Sequence, residues 1–252
     1  MYYIPIKTEK EINIMRQNGC ILALILDKLK KASQIGISGK TLENFAQDLI
    51  KKYKGKPSFL GFDNYPAALC FSLNEEIVHA LPSDDKIIKE GDMVSLDLGF
   101  YKNGFHTDAA ISFLIPPYNA QAERLLKTTK MALEEAIKKA KPGIRLGEIS
   151  ITIQEIIENN HCSVIKELTG HGIGNALHED PHVFNYGDVD SGPIIKKGMV
   201  LAIEPMASLG SDKIKKGKDG YAYITQDNSL ACHFEHTVAI TEKGAEILTL
   251  LT

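Results

Sequence analysis

"IIKEGDMVSLD", residues 87–97, is met again 107 positions later as "IIKKGMVLAIE", residues 194–204, and the last aligned pair is Asp97 over Glu204. The same shift carries Gly36-Ile37 onto Gly143-Ile144, and Leu42, Ala46, Leu49 and Ile50 onto Ile149, Ile153, Ile156 and Ile157. Further on, the shift grows to 127: "HTDAAISF" (106–113) lies over "HFEHTVAI" (233–240), which pairs Asp108 with Glu235. Two copies are too few for a solenoid, whose stacked units each need neighbours. They imply one domain over 1–252 with an internal duplication, about 30–115 and 137–242, in which two helix-then-hairpin halves face each other across a pseudo-twofold axis.

Four helices follow from the pattern. "TEKE" (8–11) is a capping-box signature, with apolar residues running from Ile12 to Leu29. Leu42, Phe45, Ala46, Leu49 and Ile50 share one helix face. Residues 120–140 and 148–159 read as helices separated by the "KPG" break at 141–143. Between the helices, "VSLDLGFYKNGFHTDAAISF" (94–113) alternates around Asn103-Gly104, a two-residue hairpin turn. The architecture expected is α+β.

The composition excludes several classes. A net charge of −3 gives no long-range pull towards nucleic acid or an anionic membrane. The longest apolar run, "ILALIL" (21–26), is too short to span a bilayer. "MYYIPIKTEKEINIM" lacks the basic and apolar regions of a secretory signal. Cys20, Cys70, Cys162 and Cys232 are scattered without a C-x-x-C pair, which suits reduced thiols in the cytoplasm. The basic run "KIKKGK" (213–218) reads as a solvated loop.

The hairpin turn places Asp97 opposite Ala110 and diagonal to Asp108 on the same sheet face, roughly 7–8 Å apart at the backbone. Two ionised carboxylates that close, in strands rich in Val, Ile and Leu, repel and lose hydration unless one is protonated or a cation sits between them. The second half supplies Glu204 and Glu235 at the matching places. Four negative charges against two divalent ions come near balance, which favours a dinuclear site.

The histidines of "LTGHGIGNALHEDPHV" (168–183) are seven apart among glycines that disfavour a helix. A turn between them would let one ligate and the other reach in from a loop; His171 is expected to be the fifth ligand and His178 to face substrate. Carboxylates with one imidazole and no thiolate suit Mn, Fe, Co or Zn in a catalytic role. His79, in "EEIVHALP", reads by itself as structural, and His106, His233 and His236 flank the acids, with His233 on the strand face of Glu235.

These stretches together, "NEEIVHALP", the Asp97/Asp108 hairpin, "GHGIGNALHEDPHV", "AIEP" and "FEHT", closely resemble the type I methionine aminopeptidases, over essentially the whole chain. The resemblance implies the pita-bread fold, a curved antiparallel sheet covered by helices. It also implies a pair of divalent ions on Asp97, Asp108, His171, Glu204 and Glu235. A metal-bridging hydroxide would then release the N-terminal methionine from a peptide or nascent chain with a small second residue. Glu204 would act as general base, His178 at the carbonyl oxygen and His79 at the scissile nitrogen. A monomer and a transient ribosome contact through 213–218 are implied too, with no sequence-specific nucleic acid and no membrane as partner.

The methionine pocket departs from the family pattern. Phe59, Phe62, Leu168, Leu177, Tyr221 and His233 stand where other residues are frequent, while Tyr65 and Cys70 fit. The pocket stays apolar with an altered shape. The competing readings are a Xaa-Pro dipeptidase or aminopeptidase with the same five ligands, and a binding protein of this fold without catalysis.

Overall fold

A computed structural model describes residues 3–251, so the first two residues of the stretch read for a signal, and the last of the 1–252 span, lie outside it. Helix α1 (Glu9–Ala32) opens with the capping box, Thr8 and Glu11 each satisfying the other's backbone amide. Its apolar stripe, from Ile12 and Met15 to Leu29, is buried. Ser38 caps α2 (Gly39–Lys52) and Asn119 caps α3 (Ala120–Lys139), each through a side-chain oxygen on an N–H of the first turn. α4 (Gly147–Asn159) has no side-chain cap. All four lie where the sequence periodicity places them.

Among the described residues the main sheet has nine strands: β1 (Lys56–Pro57), β2 (Leu69–Leu73), β3 (Met93–Lys102), β4 (Phe105–Leu114), β5 (Thr169–Gly172), β6 (Glu179–Phe184), β7 (Val200–Ile203), β8 (Glu235–Thr241) and β9 (Gly244–Ile247). It is antiparallel and curled, in the order β1-β3-β4-β8-β7-β5-β6, with β2 also on β3 and β9 also on β8. Asn103 and Gly104 turn β3 into β4 with φ of 54° and 89°, the left-handed pair a two-residue hairpin needs. Asp97 then stands opposite Ala110, and Gly99 opposite Asp108, as the hairpin reading requires.

Local structure repeats with the sequence. Ser38 bridges Ile87, and 107 positions on, Arg145 bridges Ile194. The amide of Gly36 donates to the Ile88 carbonyl, and that of Gly143 to the Ile195 carbonyl, both at 2.9 Å. Each half buries its own apolar core. One lies between α1, α2 and β2–β4, around Leu22, Leu42, Phe71 and Leu96; the other lies among α3, α4, β7 and β8, around Leu133, Ile149, Ile153 and Val238.

One expectation is corrected. Ile214–Lys216, read as part of a solvated loop, forms a strand paired with Tyr223–Thr225, which in turn pairs with Glu76–Val78. The run Ile-Lys-Lys is too short to show as a strand and does not alternate, and the lysines that made it look like a loop are exposed positions of an edge. Among the described residues no helix is long and apolar enough to cross a membrane. Cys70, Cys162 and Cys232 are buried and unbridged.

The halves meet where β4 lies beside β8. Backbone register joins Glu235 to Ala110 and His236 to Ala109. At the next step the buried Thr237 hydroxyl takes over, accepting from the Asp108 amide at 2.8 Å and donating to the Asp108 carbonyl at 2.7 Å. Thr237→Val keeps the volume and removes both bonds. It is expected to cost about 1–3 kcal/mol through the stranded amide, measured as a lowered urea midpoint with an unchanged slope.

Candidate functional site

The seam gathers the acids predicted from the repeat. One row across the sheet reads Asp97 on β3, Ala110 on β4 and Glu235 on β8. The neighbouring row reads Thr237 on β8, Ala202 on β7 and His171 on β5. Ligand atoms of Asp108, His171 and Glu235 all lie within 4.8 Å of one another, and all three residues are buried. Asp97 and Glu204 flank this trio: both line the same pocket, and Glu204 Oε1 is 3.6 Å from His171 Nε2.

Electrostatics shows what such a cluster needs. Burial, then the charge of Asp108, pushes Asp97 well above the usual carboxylate range. Burial and the neighbouring acids do the same to Glu204 and Glu235, and burial raises Asp108 to about 7. Asp97 Oδ1, Asp108 Oδ1 and Glu235 Oε1 are buried without a hydrogen-bond partner. Buried polar atoms are rarely left so, and orphaned carboxylate oxygens converging on one point fit a bound cation. The donor set of four carboxylates and one imidazole fits a hard or borderline divalent ion.

His171 is prepared for ligation. Its Nδ1–H donates to the Gly172 carbonyl at 2.8 Å, which leaves the Nε2 lone pair facing the acids. Burial lowers its pKa to about 3. Its approach to Glu204 is therefore that of a neutral ring and not an ion pair. Gly170 and Gly172 let the neighbouring strands come this close: a Cβ on Gly170 would strike the Ala202 carbonyl, and one on Gly172 the Asp180 carbonyl.

His178 arrives from the loop between β5 and β6, as a turn between the two histidines requires, and its ring packs edge-on to His171 at 4.3 Å and to Phe62 at 4.8 Å. His79 enters just after the strand Glu76–Val78 with a strained φ of 60°, its ring edge-on to Tyr223. Both rings are open to the cleft while protein surrounds them, and partial desolvation lowers both pKa values. The loop of His178 is tied from afar. Buried Lys7 forms an ion pair with Glu179, and Glu179 accepts from the Ala176 amide. The Lys7 amide in turn donates to the Gly198 carbonyl.

Phe59, Phe62, Tyr65, Cys70, Leu177 and Tyr221 all line the pocket over the acids, a cavity of about 250 Å³. That is below the 300–1,000 Å³ usual for drug-sized ligands, and suits one side chain with its adjoining peptide link. Asp63, Lys216 and Tyr223 also line it and were not anticipated. Tyr223 opens the strand Tyr223–Thr225, two residues beyond Tyr221 in the preceding bend; nothing in the sequence marked the other two.

The remaining histidines separate. His233 is fully buried, its Nε2 lies 3.3 Å from Glu204 Oε2, and neither ring nitrogen has an aligned hydrogen-bond partner. His106 binds Ser58, and His236 binds Thr249. Those two hold the fold and do not face the pocket.

Known proteins resemble this chain along its length. The description of metallopeptidase family M24 matches residues 13–242. A methionine aminopeptidase of Clostridium acetobutylicum is 44% identical over 247 residues, 98% of this chain and 99% of the relative. The crystal structure of a methionine aminopeptidase from Thermotoga maritima superposes with a TM-score of 0.96 at 43% identity, covering 98% of this chain and 99% of that one. A prolidase of Pyrococcus horikoshii shares the fold, with a TM-score of 0.78 at 23% identity, and this chain spans 64% of it.

Replacing Lys7 with Met leaves the Glu179 carboxylate buried without its cation. The expected loss of stability is about 3–5 kcal/mol, read by chemical denaturation, with Lys7→Arg recovering most of it.

Proposed function

Since the chain belongs to metallopeptidase family M24, we propose that it removes the N-terminal methionine from peptides and nascent chains whose second residue is small. Residues 1–252 act as a single catalytic domain built by internal duplication. The observation that carries this reading is the convergence of Asp97, Asp108, His171, Glu204 and Glu235 in one small cavity that Phe59, Phe62, Tyr65, Leu177 and Tyr221 also line.

Those five side chains would hold two divalent ions, with Mn, Fe, Co and Zn all compatible with the donors. When bound, such ions supply Lewis acidity, a water activated near neutral pH and an anchor for the substrate's free amine. The chain does the rest. Phe59, Phe62, Tyr65, Cys70, Leu177 and Tyr221 enclose the methionine side chain and exclude water from it. A Glu204 carboxylate oxygen takes the proton of the attacking water, a role that suits a carboxylate whose proton affinity is raised. His178, held neutral, donates an N–H to the carbonyl oxygen as charge develops there. His79, also kept neutral, hydrogen-bonds the departing nitrogen, which receives the proton that Glu204 took from the water.

The working state expected is a cytoplasmic monomer. Two lysines of the run read as a ribosome contact are engaged within the chain: Lys215 donates to the Gln226 carbonyl, and Lys216 lies 3.7 Å over the Tyr223 ring. The 213–218 run therefore offers a weaker case for that contact than its charge suggests.

Turnover of Met-Gly peptides, assayed beside Xaa-Pro peptides and with bound metal quantified, tests the reading. Asp108→Ala is expected to lose both ions' worth of activity and to retain less metal than the wild type. His178→Ala is expected to lower kcat about 10²–10³-fold with metal content unchanged. Preference for Xaa-Pro would replace this reading with the dipeptidase, and absence of turnover in the metal-loaded protein with a binding relative. Chelation leaves the four buried acids without counter-charge, so the melting temperature should fall and recover on adding Mn or Co.

A further inference from the structure

We propose that the exposed aromatic ladder His182, Phe184 and Tyr186 is a track for the substrate chain downstream of its second residue. The proposal rests on the aminopeptidase reading and adds to it a preference for peptides with apolar or aromatic side chains further along. Burial along β6 and its continuation alternates strictly: Pro181, Val183 and Asn185 are buried, whereas His182, Phe184 and Tyr186 are exposed. Register fixes which face this is. His182 pairs with His171 and Phe184 with Thr169, and antiparallel partners project to the same side. The ladder therefore shares the sheet face of His171, which points at the acids.

The ladder is continuous with the catalytic pocket. A second cavity of about 410 Å³ shares His79, His171, His178 and Glu204 with the first and is also lined by Thr169 and by His182, the first rung of the ladder. A chain whose first peptide bond lies at the acids would leave through this cavity. The rings of His182 and Phe184 are 6.0 Å apart, and those of Phe184 and Tyr186 5.9 Å. An extended peptide advances about 6.6–6.8 Å per two residues, so every second side chain could meet a ring. Phe184 and Tyr186 are 43% and 36% exposed, with Lys166 Nζ 5.7 Å over the Tyr186 ring.

A single strand is the occupant the geometry favours over a second subunit. The strip is one side chain wide, and a stable protein interface buries more than about 1,000 Å². β6 is also the last strand on its side of the sheet, so nothing in the main sheet lies beyond it.

The test compares three substrates: Met-Gly-Ser, the heptapeptide Met-Gly-Ser-Phe-Ser-Phe-Ser, and the same heptapeptide with both Phe replaced by Ser. For the wild type, kcat/KM on the aromatic heptapeptide should exceed that on the serine heptapeptide by about tenfold, from two aromatic contacts, and through KM. The double variant Phe184→Ser, Tyr186→Ser should lose that gain and cleave Met-Gly-Ser as the wild type does. Equal rates on the two heptapeptides, or a gain that survives in the double variant, would overturn the track. If no methionyl peptide is cleaved, the aminopeptidase reading fails separately. Fluorescence anisotropy of the labelled heptapeptides, with the same variants, then decides the track by binding alone.

Discussion

Four carboxylates taken out of water at one seam are the constraint around which this molecule is arranged. Each costs several kcal/mol to bury as an anion, and the sheet offers little relief: three of their oxygens have no hydrogen-bond partner. Protons can relieve the strain in part, as the upward shifts of Asp97, Asp108, Glu204 and Glu235 register. Divalent cations relieve it more completely. The curl of the sheet, the Thr237 substitution for a backbone pair and the glycines of β5 all serve to bring these groups together without filling the space between them.

Much of this was legible because it depends on periodicity and spacing. The helices showed in their apolar stripes, and the hairpin in Asn103-Gly104, whose positive φ values few residue types tolerate. The pairing of Asp97 with Ala110 then followed from counting. The repeat placed Glu204 and Glu235 before any distance was known. Other features were not legible. Lys216 and Asp63 line the pocket from loops and a short edge strand, whose positions are set by tertiary packing and not by local pattern. His79 read as structural by its own context, and only the resemblance raised it to a functional group. The face of His182, Phe184 and Tyr186 needed the register with β5, which a one-residue slip would have reversed.

The site also shows a division of labour among imidazoles. His171 has its tautomer fixed by a backbone carbonyl and faces the acids. His178 and His79 have ring contacts in place of such a tether, and reach the cleft from two segments far apart in sequence. That difference matches groups of which one must stay fixed on a cation while the others adjust to a reacting peptide. His233 is the exception, fully buried beside Glu204 with neither nitrogen aligned to a partner.

The sequence divides near its middle, yet the fold does not come apart there. Arg16 of α1 grips Glu246 of β9 with two nitrogens, and Gly19 has no room for a Cβ because the Leu248 carbonyl rests on it. Lys7 reaches across to Gly198 and Glu179. The opening segment and first helix thus bridge the halves: Leu22 and Leu29 pack in the first core, while Ile12 and Met15 pack with Val200 and Leu248 of the later half. The repeat, which we read as a duplication, has halves with separate cores that are tied together through Lys7, Arg16 and Gly19. Parting the copies would strip Arg16, Gly19 and Lys7 of partners that only the later half supplies.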